Sequence, residues 1–192
     1  MVALFRSVLL LIGTTIAVQA GEIQYARVEQ DDGEYSVDIS VKVTGDRDTI
    51  YRIATDYKQL ARLSDLILDS GLVNREGLDG VPVVRRRLLT KSCVMRLCFD
   101  AILIEDVWEP ASGVIKTVFI PEQSDFVYGE SVWQIHRIDD THTMINFYSK
   151  FRPDFWVPPL IGPLVIKRMM LDATEQTIHN IETIAALETT RP

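Results

Sequence analysis

The chain has 192 residues, 47% of them hydrophobic, with 20 basic against 27 acidic side chains and a net charge of −7. That length suits one domain with a single sizeable core. The acidic balance argues against nucleic acid as a partner, because such binding rests on neutralising phosphates.

Met1 to Ala20 comes first. Arg6 precedes the apolar run Val8–Val18, and Val18-Gln19-Ala20 supplies small residues at the spacing of a cleavage site. This reads as a secretory signal peptide whose removal leaves Gly21 as the N-terminus. The run is interrupted by Gly13-Thr14-Thr15 and falls short of the roughly 20 apolar residues a membrane span needs. The expectation is a soluble protein exported across the inner membrane to the periplasm. It has a flexible segment over residues 21–33 and one domain over 34–188.

From Tyr35 to Val43 the chain alternates, with Val37, Ile39, Val41 and Val43 against Ser36, Asp38, Ser40 and Lys42. That is a half-buried strand. Asp46 is placed to cap a short helix running to Thr55, with Ile50, Ile53 and Ala54 as its apolar stripe. After a break at Asp56, Tyr57–Leu63 gives a second short helical piece. Strand candidates follow at Leu68–Arg75, Val81–Lys91, Phe99–Trp108, Gly113–Pro121, Phe126–Ile138 and Thr141–Phe151. Their separators are turn-rich: Gly77–Gly80, Pro110–Gly113, Glu122–Asp125 and Asp139-Asp140. Short connections between consecutive strands make an antiparallel meander.

The last stretch, Phe151–Leu187, passes Pro153, Pro158, Pro159 and Pro163 and then runs on without Pro or Gly. Apolar residues recur at Leu160, Leu164, Leu171, Ile178, Ile181 and Ala185, which is the helical period. Pro163 is tolerated in a first turn, where its missing N–H would lack a partner anyway. One long amphipathic helix is expected. A strand, two small helices, six strands and a long helix make an α+β fold, with an antiparallel sheet of about seven strands.

Strand alternation assigns the inward faces. Ile145, Phe147, Ser149 and Phe151 share one side of the last strand. Val127, Gly129, Ser131, Trp133 and Ile135 share one side of the strand before it. Ile115, Thr117 and Phe119 share one side of the strand before that. These sets mix large aromatics with Gly, Ser and Thr, which fits a cavity walled on the far side by Met170 and Leu171 of the helix. It fits equally a packed core in which the small residues sit opposite bulky helix side chains.

Chemistry-bearing residues are sparse. His136 and His142 flank the Asp139-Asp140 turn, and a two-residue hairpin would put them on opposite faces, unable to share a metal. His179 lacks a second ligand at helical spacing. No phosphate-cradling glycine loop and no Gly-x-Ser-x-Gly elbow occurs, so no cofactor and no metal is expected. The run Arg85-Arg86-Arg87 reads as a solvated face. Glu105 alternates with Phe99, Ala101 and Leu103, and an inward Glu105 needs a partner, for which Arg86 is the candidate. Such a pair would orient a ligand head group or act in general acid–base chemistry. The plainer reading, which the residue types favour, is that strand twist turns both outward. Cys93 and Cys98, in one straight strand, would be roughly 16 Å apart, too far for a disulfide, which needs Cα atoms within about 7 Å. A zinc site at this spacing wants two further ligands, and none is nearby.

Three features together resemble a known superfamily. They are Ile50–Leu63 (IYRIATDYKQLARL), Trp133-Gln134-Ile135 followed after a turn by Thr143-Met144-Ile145-Asn146-Phe147, and the Pro-rich entry into the C-terminal helix. The helix-grip domains called SRPBCC or START-like share this layout. They include StAR-related lipid-transfer domains, polyketide cyclase/dehydrase-like proteins and coenzyme Q-binding START proteins. The resemblance spans nearly all of Glu34–Leu187. It implies a sheet curled around the long helix, with an apolar cavity between them that holds lipids, quinones, sterols or polyketides. It also implies a hairpin at Ser92–Leu97 with the two cysteines at its base, where an oxidising compartment would join them. In this layout Val94, Met95 and Leu97 lie near one end of the cavity, as do Phe155 and Trp156. They form an apolar rim suited to transient contact with a membrane surface. The expected function is binding or transfer of an apolar small molecule such as a lipid, isoprenoid or quinone. The alternatives are a cyclase or dehydratase acting on such a compound, or protein–protein interaction without a ligand.

Overall fold

Eight strands form one antiparallel sheet in the computed structural model, which describes residues 21–73, 83–94, 97–157 and 161–189, without the side chains of residues 92–94 and 97. The strands are β1 (Glu22–Asp31), β2 (Glu34–Thr44), β3 (Ile67–Val73), β4 (Val84–Val94), β5 (Leu97–Ala111), β6 (Val114–Phe119), β7 (Phe126–Arg137) and β8 (His142–Pro153). Their order across the sheet is β1-β2-β8-β7-β6-β5-β4-β3. Helix α1 (Arg47–Ala54) and a 3₁₀ turn (Leu60–Arg62) join β2 to β3. Helix α2 (Gly162–Thr189) closes the chain over the concave face. The Met1–Ala20 segment and the Gly77–Gly80 separator lie outside the described residues, as do Pro158, Pro159 and Leu160.

Within the segment expected to be flexible, residues 22–31 form the edge strand β1, hydrogen-bonded to β2 along its length, and Asp32 and Gly33 turn the chain at φ 46° and 79°. A register shift between Ile23 and Tyr25 breaks its alternation, so Ile23, Ala26 and Val28 reach the core without a period-two pattern. This makes eight strands where about seven are expected.

Asp46 caps α1 as expected, its carboxylate accepting from the Asp48 and Thr49 amides at 3.1 and 3.0 Å. Ile50, Ile53 and Ala54 are buried. The buried residues of α2 are Gly162, Ile166, Ile178, Ile181 and Ala185. Leu164, expected in the apolar stripe, is 70% exposed. The inward face drifts round the helix from its C-terminal to its N-terminal half as the sheet twists beneath it. A stripe extended at fixed spacing from Ala185 therefore ends on the outer side.

Two registers also differ from expectation. Arg137 pairs with Thr143 and His136 with Met144, one step from a two-residue hairpin. This puts His136 and His142 on the same, outer, side of the sheet. A shift between Phe126 and Tyr128 turns Phe126 inward and leaves Val127 exposed.

Candidate functional site

Between α2 and the concave sheet lie three adjoining chambers of about 260, 190 and 200 Å³, with Ile67 and Phe147 as walls common to all. The space follows from side-chain size. Across the cleft from Trp133 and Phe147, α2 presents Ala173, Thr174 and Thr177. No residue of α2 between Ile166 and Ile178 is fully buried. The two threonines return their hydroxyls to helix carbonyls, Thr174 to Met170 at 2.7 Å and Thr177 to Ala173 at 2.7 Å. Their methyl groups are what remains for the cleft.

The largest chamber is the mouth. Phe119, Phe126, Phe151 and Phe155 form its aromatic wall. Phe126 meets the other three edge-on, at ring-centroid distances of 5.4, 5.9 and 6.1 Å. Met169 and Met170 come from α2. Trp156 is at the opening and is 77% exposed, while Phe155, at 41%, packs on Phe126. Phe99 and Ile161, both in the lining of this chamber, add exposed apolar surface. The side chains of Val94, Met95 and Leu97, the other half of the expected rim, lie outside the described residues.

The second chamber, of about 190 Å³, holds the polar groups. Glu105 of β5 and Arg86 of β4 are paired residues on adjacent strands, 2% and 7% exposed, with Nε to Oε1 at 2.6 Å. Both point inward and line this chamber with Ser131 and Ser149. Twist has not turned them outward. The Arg86 guanidinium also stacks over the Tyr57 ring at 5.1 Å. The Tyr57 hydroxyl donates to Glu109 at 2.8 Å, and the Tyr51 hydroxyl donates to the other oxygen of that carboxylate. Burial, then the Glu109 bond, pushes the Tyr51 hydroxyl up to about 12, and the same causes raise Tyr57 further. Ser131 and Thr117 share a 2.8 Å hydrogen bond, and Ser149 donates to the Glu130 carbonyl at 3.0 Å. Arg86, Glu105 and the hydroxyl oxygens of Ser131 and Ser149 are thus polar groups that face this chamber.

Of the other residues assigned to a cavity, Ile115 and Trp133 line the second chamber, and Ile145 and Met170 line the third. Thr117 is buried behind Ser131. Gly129 is covered, since a Cβ there would stand 2.2 Å from the Phe119 ring. Leu171 is half-buried and off the cleft, through the same drift that exposes Leu164. Sequence reasoning missed Phe126 because of its bulge. It also missed Tyr57, and Leu66 and Ile67 at the start of β3. Ile67 lies one residue ahead of the expected strand Leu68–Arg75.

The arginine run is not a solvated face. Arg85 forms a two-pronged pair with Asp106 at 2.8 and 3.1 Å, and Arg87 meets Asp69 at 3.0 Å. No cluster of three metal-ligating side chains occurs among the described residues.

No protein-family model matches the chain, and no curated protein matches it. Solved structures do. A START superfamily protein from Mycobacterium smegmatis is 22% identical and covers 79% of this chain and 97% of its own, with a TM-score of 0.61. The Zhui aromatase/cyclase from Streptomyces sp. R1128 is 13% identical, covering 81% and 96%, with a TM-score of 0.62. A protein from Thermus thermophilus is 16% identical, covering 81% and 99%, with a TM-score of 0.61. The chain has the START-like, or SRPBCC, helix-grip fold.

Proposed function

We propose that this chain binds and transfers an apolar small molecule of lipid, isoprenoid or quinone type. The observation that carries the reading is an apolar cleft with an aromatic wall, one chamber of which holds a buried, charged, hydrogen-bonding pair. A ligand with a long apolar body and one oxygen-bearing head would set the head on Arg86, Glu105 and Ser131 and lay its body under α2. Ligand pockets of this kind are mostly apolar with a few placed polar groups.

Export belongs to the same proposal, supported by the Met1–Ala20 pattern, and places the protein in the periplasm. A Cys93–Cys98 disulfide suits that compartment. The two residues are directly opposed across the β4–β5 hairpin, and opposed antiparallel residues have Cα atoms about 4.5–5.5 Å apart, within disulfide reach. Trp156, Phe155, Ile161 and Leu164 are proposed to touch a bilayer while the ligand passes. No described helix is long and apolar enough to cross one.

One observation favours a second reading. Two inward ionisable groups within hydrogen-bond reach, in an apolar chamber, can take a proton beside a carbonyl (Glu105) and hold the enolate oxygen (Arg86). That is the chemistry a cyclase or dehydratase requires.

Uptake of an apolar fluorescent probe, phenylnaphthylamine, tests the binding reading. Wild type is expected to take up one equivalent. Ala173→Phe fills the cleft and loses uptake with little change in stability. If Ala173→Phe instead loses several kcal/mol, as overpacked cores do by about 1–3 kcal/mol, the space is not a ligand site. Glu105→Gln separates the readings, since a binder keeps uptake with altered affinity and an enzyme loses turnover.

A further inference from the structure

Glu182 of α2 has an unusual pair of partners. Its Oε1 accepts the Thr44 amide at the end of β2, at 2.6 Å, and its Oε2 accepts the Gly21 nitrogen ahead of β1, at 2.9 Å. One carboxylate thus joins the two strands at one margin of the sheet to the helix that roofs the cleft. Gly21 is seated too tightly for any other residue. A Cβ on it would stand 2.3 Å from Ile178 Cγ2 and 2.9 Å from both Glu182 Oε1 and the Lys42 carbonyl. Ile178 belongs to the buried core that anchors α2.

Resting on the export reading, we propose that removal of Met1–Ala20 turns this nitrogen into an α-ammonium group that pairs with Glu182, so that processing itself completes the fastening of α2 over the ligand cleft. Hydrolysis of the Ala20–Gly21 peptide bond consumes one water and releases Ala20 with a carboxylate and Gly21 with an amine. An amine of this kind titrates ordinarily at about 7.7–8.0 and is largely protonated at neutral pH. The amide already donates to an ionised acceptor, and the ammonium adds to that bond the attraction of a full positive charge for the carboxylate. The glycine follows from the same geometry, because the residue at the new terminus must let its nitrogen approach between β2 and α2 with no side chain in the way. The cleft-facing part of α2, between Ile166 and Ile178, has no fully buried residue to hold it down. The fastening at Glu182 therefore bears on how tightly the roof closes.

The test compares Gly21–Pro192, which contains every described element, with a chain that keeps Gln19-Ala20 ahead of Gly21. The same nitrogen is then an ammonium in one and an amide in the other. The extended chain is expected to melt about 2–4 °C lower, the shift that a single interaction of this strength gives in a domain of this size. In the Glu182→Gln background the difference disappears. Equal melting temperatures with Glu182 present, or a difference that survives Glu182→Gln, would overturn the proposal. If the Glu182 variant does not fold, titration of the wild-type α-amine decides. A value above the ordinary range supports the pair, and an ordinary value rejects it. The intact mass of the exported protein distinguishes the layers. A terminus other than Gly21 removes this proposal and its cleavage site, while probe uptake by the cleft stands or fails separately.

Discussion

Arg86 and Glu105 are the residues on which the reading of the site turns. Removing one member of a buried pair leaves the other charge desolvated, at a cost of about 3–5 kcal/mol. Arg86→Leu should therefore lower stability on that scale in chemical denaturation, and so should Glu105→Leu. The double variant should recover much of the loss, since two apolar side chains leave no orphaned charge. It should keep the probe but lose preference for ligands with an oxygen-bearing head. Tyr51 gives a second expectation at this scale. Its hydroxyl is raised from 10 to about 12, so folding favours the protonated form. That contribution is complete below pH 10 and is lost as pH rises from 10 towards 12. Ultraviolet titration should show Tyr51 ionising late and Tyr57 later still, and Tyr51→Phe should remove the first of those two steps. The pair was legible in the sequence only as an alternation, because Glu105 and Arg86 each have the right parity. Their burial was not, since a run of three arginines looks solvated until Asp106, Glu105 and Asp69 are seen on the flanking strands.

The strands and helices were legible wherever one period held over a whole element. β2, α1 and the existence of α2 follow from alternation, a capping Asp46 and a long Pro-free run. β1 was not, because a bulge and an exposed edge erase its alternation. The inward face of α2 was legible only at its C-terminal end, where Ile178, Ile181 and Ala185 pack. Two substitutions on this helix should behave oppositely. Ile181→Ala removes packed core and should cost about 2–5 kcal/mol. Ala173→Phe projects into the cleft and should cost far less while blocking uptake. At the β4–β5 hairpin, the proposed export implies that thiol titration of unreduced, denatured protein should find no free cysteine. Two free thiols would reject the disulfide. Closing so short a loop should stabilise by roughly 2–3 kcal/mol at most, so its main effect would be on the shape of the hairpin beside the mouth.

For the whole molecule, the sequence carried the fold further than the site. The α+β class followed from element order, and the helix-grip layout from the resemblance carried by Ile50–Leu63, by Trp133-Gln134-Ile135 with Thr143–Phe147, and by the Pro-rich entry into the last helix. The cleft itself followed only as one of two options, because Ser131, Trp133 and Phe147 read equally well as core until Ala173, Thr174 and Thr177 are placed opposite them. The mouth gives an expectation at this scale. Trp156→Ser should reduce binding to anionic phospholipid vesicles with the melting temperature unchanged, since that side chain is mostly in water. Phe155→Ser should lower stability, because Phe155 packs on Phe126. The central claim is that the cleft carries an apolar molecule. Native mass spectrometry of protein purified from its own cell envelope, with organic extraction of what it carries, tests that most directly. The account predicts a single one-to-one adduct that extracts into organic solvent and is absent from Ala173→Phe. Wild-type protein at its bare mass, taking up nothing from an envelope lipid extract, would contradict it.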